Sequence, residues 1–288
     1  MLNSYHLGKG LWLALLVLSS CRPQPSCSSR PIAVTNTYLE SAARDLLGDT
    51  LKIIRLAKPG MCPGHFDLRP SQMTDLQCCQ LLLRFDFQKS MDDKLRHGPH
   101  PPQVVSIAVP GGLGEPSTYL AICRQSAAAF VQTGWLTRAE ADTRLAVIAG
   151  RLDALSEKLR AHVRAAGLAG VPVLCSGHQA AFTKWLGLDV VATFRAADMA
   201  RTRELDDAVA TGQSRGVKLI IANLPEGRRT ADALAERLGA RVVVFGNFPE
   251  SRAGRAGFDD LITSNVAALI AAHGPWTLLP LNCARRES

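Results

Sequence analysis

The sequence predicts an α/β fold of two lobes, each with a mainly parallel sheet flanked by helices, joined by one long spine helix. Three observations predict it. Short apolar runs alternate with helix-like stretches from residue 31 onward, as expected of helices packed on a sheet. Some runs, such as Val217-Lys-Leu-Ile-Ile-Ala222, are nearly continuous in apolar residues, the mark of strands covered on both faces. Between the two alternating regions, Leu145, Ile148, Leu152, Leu155, Leu159 and Val163 recur in steps of three and four, making one helical stripe of about five turns.

The chain opens differently. Lys9 precedes the apolar run Leu11-Trp-Leu-Ala-Leu-Leu-Val-Leu18. A stable membrane anchor needs about 20 apolar residues, so this run has the length of a signal-peptide core. It ends in Leu18-Ser19-Ser20-Cys21, which resembles a bacterial lipobox with Cys21 as the lipidated residue. Residues 1–21 are therefore read as a lipoprotein signal peptide and 22–30 as a flexible tether rich in Pro and Ser. Ordinary secretion with an incidental Cys21 is the bland alternative. Either way the expected location is exported, on the periplasmic or cell-surface side, with a lipid anchor as the only membrane contact.

The first lobe is assigned to residues 31–136. Pro31-Ile-Ala-Val-Thr35 reads as a strand. Thr37 and Glu40 form a capping-box pattern, and the helix they open closes at Gly48. Leu51-Lys-Ile-Ile54 and Val104-Val-Ser-Ile-Ala-Val109 read as strands, and Ser71 to Leu83 as a helix carrying Cys78 and Cys79. Adjacent cysteines rarely bond each other, so at least one is expected to be buried or paired elsewhere.

The spine is assigned to residues 137–167. Thr137 and Glu140 form a second capping box, and nothing breaks the stripe before Gly167. The second lobe is assigned to residues 168–288. Strands are expected at Val171–Cys175, Val190–Phe194, Val217–Ala222 and Arg241–Phe245. Helices are expected near His178–Trp185, Thr202–Thr211 and Thr230–Leu238, the last ending at Gly239. Ligands of such sheets bind at the carboxyl ends of the strands.

Composition narrows the function. Of 288 residues 47% are hydrophobic and only 6% aromatic, giving an aliphatic core of adequate size. The formal net charge is +8, but Lys and Arg are interleaved with carboxylates, as in Arg201-Thr-Arg-Glu-Leu-Asp-Asp207. That pattern is a solvated face, and no nucleic-acid partner is expected. A Walker loop and a His-Glu-x-x-His helix are both missing. Gly111-Gly-Leu-Gly lacks dinucleotide spacing. No enzymatic activity is expected, although an α/β enzyme using a nucleotide or thiol chemistry is a third reading.

Two segments carry candidate chemistry. Cys62-Pro63-Gly64-His65 and Cys175-Ser176-Gly177-His178 share Cys-x-Gly-His, one before and one after the spine. Thiolate and imidazole are strong ligands for borderline and soft cations. Facing one cleft, Cys62, His65, Cys175 and His178 could close a tetrahedral site. Glu115, Asn247 and Glu250 lie in loops just past strands and could complete the shell, or be solvated loop residues. His97 and His100 sit in a Pro-rich stretch that reads as a surface linker. Export permits disulfides. The seven cysteines after Cys21 are odd in number, so at least one is left over.

Several stretches in order resemble the zinc/manganese solute-binding proteins of ABC transporters. They are Lys58-Pro-Gly-Met-Cys-Pro-Gly-His-Phe-Asp-Leu-Arg-Pro-Ser-Gln-Met73, Pro110-Gly-Gly-Leu-Gly-Glu-Pro116, Gly177-His178-Gln-Ala-Ala-Phe182 with Gly187-Leu188, the stretch Val217 to Phe245, and Asp259-Asp-Leu-Ile-Thr-Ser-Asn-Val266. The resemblance spans about residues 31–272 and implies two α/β lobes, a linking helix and a metal in the cleft, delivered to a membrane permease by a monomer. It implies three His and one carboxylate as ligands. This chain keeps only His178 of them: Gly64 and Gly111 fall at the first two His positions, and Asn247 near the carboxylate.

Two explanations stand. The site is lost and the protein is a structural or interaction lipoprotein without metal, or it is rebuilt from Cys62, His65, Cys175 and His178. A rebuilt sulfur site favours Zn²⁺, or Cu(I) or another transition metal, over Mn²⁺. Its thiolates and imidazoles release protons on binding, so affinity should fall at low pH. Against this, Cys62 and Cys175 could bond each other across the cleft or pack as small apolar side chains.

Overall fold

The computed structural model describes residues 31–57, 69–95, 100–250 and 257–274. Within them are eight strands and nine α-helices in the order β1 (Ile32–Val34), α1 (Thr37–Leu47), β2 (Ile53–Arg55), α2 (Pro70–Leu76), β3 (Leu81–Phe85), α3 (Asp92–Leu95), β4 (Gln103–Ile107), α4 (Pro116–Gln132), α5 (Arg138–Ala165), β5 (Pro172–Ser176), α6 (Ala180–Trp185), β6 (Asp189–Phe194), α7 (Thr202–Ser214), β7 (Leu219–Asn223), α8 (Arg229–Leu238), β8 (Arg241–Phe245) and α9 (Gly257–His273). Short 3-10 turns follow β3, β5 and β7, at Asp86–Met91, Gly177–Gln179 and Leu224–Glu226.

The strands form two four-stranded sheets, ordered β2-β1-β3-β4 and β6-β5-β7-β8, and every pairing is parallel. The two-lobe α/β prediction is correct. In each sheet the order reverses between the first and third strands, β1/β3 and β5/β7. Such a reversal splays the following connections to opposite faces and opens a crevice at the strand carboxyl ends.

The spine forms as its sequence dictates. Thr137 accepts from the Glu140 backbone N–H at 3.3 Å, and the Glu140 carboxylate accepts from the Thr137 N–H at 2.8 Å. Ala141, Ile148, Leu152, Leu159 and Val163 form its buried face. One apolar core runs from β1 and α1 through this face to β5, β8 and α9.

Two local readings are corrected. Thr37 is not the cap of α1: Asn36 is, its side-chain oxygen accepting from the N–H groups of Tyr38 and Leu39 at 3.0 and 3.2 Å. Glu40 is free of capping duty and takes Arg44 and Arg55 instead. The α1 end was legible, because Gly48 has φ +84°, a conformation costly to residues with a Cβ. The second correction is at 71–83. The helix stops at Leu76, and Leu81–Phe85 is a central strand, fully buried. A short apolar run has no period that separates buried helix from buried strand, and here sheet pairing on both edges decides. Cys79 is buried and free while Cys78 is disulfide-bonded. Cys123 and Cys175 are also free, so the partner of Cys78 lies outside the described residues.

A polar cluster fastens helices from both ends of the chain to the spine. Arg151 of α5 donates to Asp45 of α1 at 3.1 and 2.6 Å and pairs with Asp259 of α9 at 3.1 Å. Tyr119 of α4 donates to Asp45 at 2.9 Å, and its ring stacks on Phe258 at 4.1 Å. Burial works against the Arg151 charge, but Asp45 and Asp259 outweigh it and hold the guanidinium above its ordinary value. Burial pushes the Asp259 carboxyl up, against the pull of Arg151.

The two groups should therefore respond differently to neutralisation. Removing one partner of a half-buried, hydrogen-bonded pair leaves a partly desolvated charge uncompensated, so Arg151→Ala should lower unfolding stability by about 2 kcal/mol, read as a fall in the urea midpoint. A raised carboxyl value means the anion is disfavoured on folding at neutral pH. Asp259→Asn relieves that penalty and should cost far less in the same titration.

Candidate metal site at the carboxyl ends of the second sheet

The crevice predicted by strand order is occupied differently in the two lobes. In the first, the loop after β1 meets the loop after β3. Thr35 donates to the Gln88 side-chain oxygen at 2.6 Å, and the same oxygen accepts from the Phe85 N–H at 2.9 Å. Both side chains are buried, so neutral hydrogen bonds close this crevice.

In the second lobe the crevice holds ionisable groups. β5 ends in Ser176, which is fully buried and accepts from the His178 N–H at 3.4 Å. β7 runs into the turn Leu224–Glu226. The Ser176 hydroxyl donates to Oε2 of Glu226 at 2.5 Å. That leaves Oε1 facing Nε2 of His178 at 3.4 Å. The imidazole is 59% exposed and the carboxylate 19%. A carboxylate oriented by a buried hydroxyl beside an open imidazole can accept a cation.

Gln179 fixes the turn that carries His178. It is 3% exposed, and its amide donates to Asn223 at the end of β7 and to the Gly246 carbonyl after β8, at 3.0 and 3.2 Å. Asn265 of α9 closes the network, accepting from the Gly246 N–H at 2.8 Å and donating to its carbonyl at 3.0 Å. The ends of β5, β7 and β8 are thus tied through buried amides, which are costly to leave unpaired.

The other expected donors are distributed as follows. Glu115 borders an open hollow of about 640 Å³ with Gly177, Ala180, Ala181, Lys184 and Trp185, so it lies beside the turn bearing His178. The loop reaches α6 closely: a Cβ on Gly112 would stand 2.5 Å from that of Ala181. Asn247 is half-buried just past β8, and Glu250 is exposed. Cys175 is fully buried within β5, and its sulfur lies 3.3 Å from the Thr183 hydroxyl. Burial pushes its thiol up to about 12. It packs as a small apolar side chain and is neither bonded to Cys62 nor presented as a thiolate. Cys21, Cys62, His65 and His97 lie outside the described residues. Among the described residues no group of three His, Cys, Asp or Glu comes together.

Sequence reasoning missed Glu226. Asn223-Leu-Pro-Glu226 has no motif spacing to His178. The available signal was positional: it is the first carboxylate after the strand that pairs with β5.

A family model described as ZnuA, the periplasmic zinc-uptake complex component A, matches residues 32–272. The fold is similar to a crystal structure of ZnuA, with a TM-score of 0.72 at 14% identity over 85% of this chain and 100% of that one. It is also similar to a Mn-bound periplasmic metal binding protein from Candidatus Liberibacter asiaticus (TM-score 0.71, 9% identity, 85% and 100% covered). A third similar structure is the solute-binding protein FpvC of P. aeruginosa in complex with Ni²⁺ (0.70, 14%, 85% and 97%). No curated protein sequence matches.

The position of Cys175 gives a direct check. In the native protein it should resist alkylation at neutral pH and react only on unfolding, as followed by peptide mapping. Cys175→Ala should leave metal affinity within about twofold, below 0.5 kcal/mol.

Proposed function

The chain belongs to the family of periplasmic zinc-uptake components, ZnuA, and from that premise we propose that it is the extracytoplasmic solute-binding component of an ABC-type metal transporter, with zinc as its cargo. The family is one of metal-binding solute-binding proteins. The observation that carries the reading for this chain is His178: an open imidazole, braced by a buried amide network, at the strand ends where doubly wound sheets bind ligands. A binding role suits a crevice in which the Ser176 hydroxyl is fully buried and committed to orienting Glu226.

His65 and Cys62, which follow β2 in sequence, are the donors we assign to the first lobe on sequence grounds. Glu115 of the first lobe and Asn247 and Glu250 of the second are further candidates, and Glu115 is the best placed because it borders the hollow beside Gly177. The partners are the metal and a membrane permease. Lipidation at Cys21 would hold a monomer at the membrane surface. No helix among the described residues is long and apolar enough to cross a membrane.

A second reading has one observation in its favour: no three-donor cluster forms among the described residues. On it, the protein is a structural or interaction lipoprotein without metal. Elemental analysis after gentle purification separates the two. The carrier reading expects bound metal and a thermal shift with Zn²⁺; neither would appear on the other.

Titration of the purified protein with Zn²⁺ against a chromogenic chelator should show one site. His178→Ala should weaken it at least about tenfold, near 1.4 kcal/mol. An unchanged affinity would remove His178 from the site.

A further inference from the structure

We propose that Glu226 is a metal ligand, the carboxylate partner of His178, and that Ser176 is the residue that positions it; this rests on the metal-carrier reading and deepens it. The first support is topological. Glu226 comes from the connection after β7 and His178 from the connection after β5, the two strands flanking the order reversal of the second sheet. No other described part of the molecule brings an imidazole and a carboxylate together at such a place: the equivalent crevice of the first lobe is closed by Thr35 and Gln88.

The second support is the spacing of the donor atoms. Zinc bonds imidazole nitrogen and carboxylate oxygen at about 2.0–2.2 Å in tetrahedral sites, which sets neighbouring donors about 3.3–3.5 Å apart. Nε2 of His178 and Oε1 of Glu226 stand 3.4 Å apart. That is long for a charge-assisted hydrogen bond, whose range is about 2.7–2.9 Å. The two atoms are set at the edge length of a coordination tetrahedron and not drawn into a tight ion pair.

The third support is Ser176. Its hydroxyl is buried and donates to Oε2 at 2.5 Å, so Oε1 is the freer oxygen for a cation. Outer hydrogen bonds of this kind orient ligating carboxylates and tune affinity. Because Ser176 also accepts from the His178 backbone N–H, one buried hydroxyl touches both the carboxylate and the turn that carries the imidazole.

The donor set has a consequence for cargo. With Cys175 sealed in the core, the second lobe contributes one nitrogen and one oxygen and no sulfur. Such a pair suits divalent ions of the zinc class and gives a soft Cu(I) ion no thiolate to prefer. The carboxylate absent at Asn247 is supplied from the neighbouring strand connection.

The test uses the full chain and Zn²⁺ alone. Glu226→Gln keeps the shape and can still accept from Ser176, but offers a neutral oxygen. It should weaken Zn²⁺ binding at least about tenfold, and Ser176→Ala about tenfold with Glu226 intact. Metal-free thermal unfolding of each variant should match the parent. Should Glu226→Gln fail to fold, Glu226→Asp withdraws the oxygen by one methylene and the same loss is expected. If His178→Ala loses Zn²⁺ while Glu226→Gln holds it within about twofold, the Glu226 assignment is overturned and the carrier reading stands. If the unaltered protein binds no Zn²⁺, the carrier reading itself falls and this assignment with it.

Discussion

The guanidinium of Arg151 meets Asp45 through two hydrogen bonds and Asp259 through an ion pair, midway along a helix of 28 residues. That meeting joins the spine to α9, the helix whose Asn265 reaches the strand ends of the second sheet. Asp45 belongs to the first helix of the described chain and Asp259 to the last, so the spine is held by both. α9 packs on β8, α5 and α1, and its Asn265 reaches the Gly246 backbone after β8. The anchored helix thus becomes part of the buried amide network that braces the His178 turn. An electrostatic lock on the spine, at Asp259, and a neutral lock behind the site, at Asn265, are carried by one helix.

That mechanical continuity explains how a site can be precise with few donors. The two sheets share one strand order, but their crevices differ in chemistry. In the first, a buried threonine hydroxyl donates to a buried glutamine side-chain oxygen. In the second, a serine hydroxyl is matched to a carboxylate, and the imidazole beside it is left open. Buried polar groups without partners are expensive. Here the buried ones are paired, and the open imidazole lies at the surface. The loop that bears Glu115 approaches α6 through Gly112, where a side chain would collide with Ala181. The first lobe is thereby brought against the wall of the same hollow.

Much of this was legible in the sequence. The spine showed in its stripe and its Thr137–Glu140 box, and the strands of the second lobe in their unbroken apolar runs. His178 stood out as the one position where the chain keeps a residue of the ligand set implied by the family resemblance. The failures have physical causes. Leu81–Phe85 has no period, so only its pairing with β1 and β4 makes it a strand. Asn36, not Thr37, caps α1, because Glu40 is drawn to two arginines and no longer completes a box. Cys175 shares the Cys-x-Gly-His pattern with Cys62, but strand alternation turns its side chain into the core, where burial keeps the thiol protonated. Glu226 bore no motif at all. Its proximity to His178 comes from strand order, which sequence spacing does not reveal.

The central claim is that a cation sits between the connections after β5 and β7. Anomalous X-ray scattering at the zinc edge, from crystals of the protein grown with Zn²⁺, tests it most directly. The account predicts a peak about 2.0–2.2 Å from both His178 Nε2 and a Glu226 carboxylate oxygen. A peak elsewhere on the molecule, or a crevice without one in fully zinc-loaded protein, would contradict it.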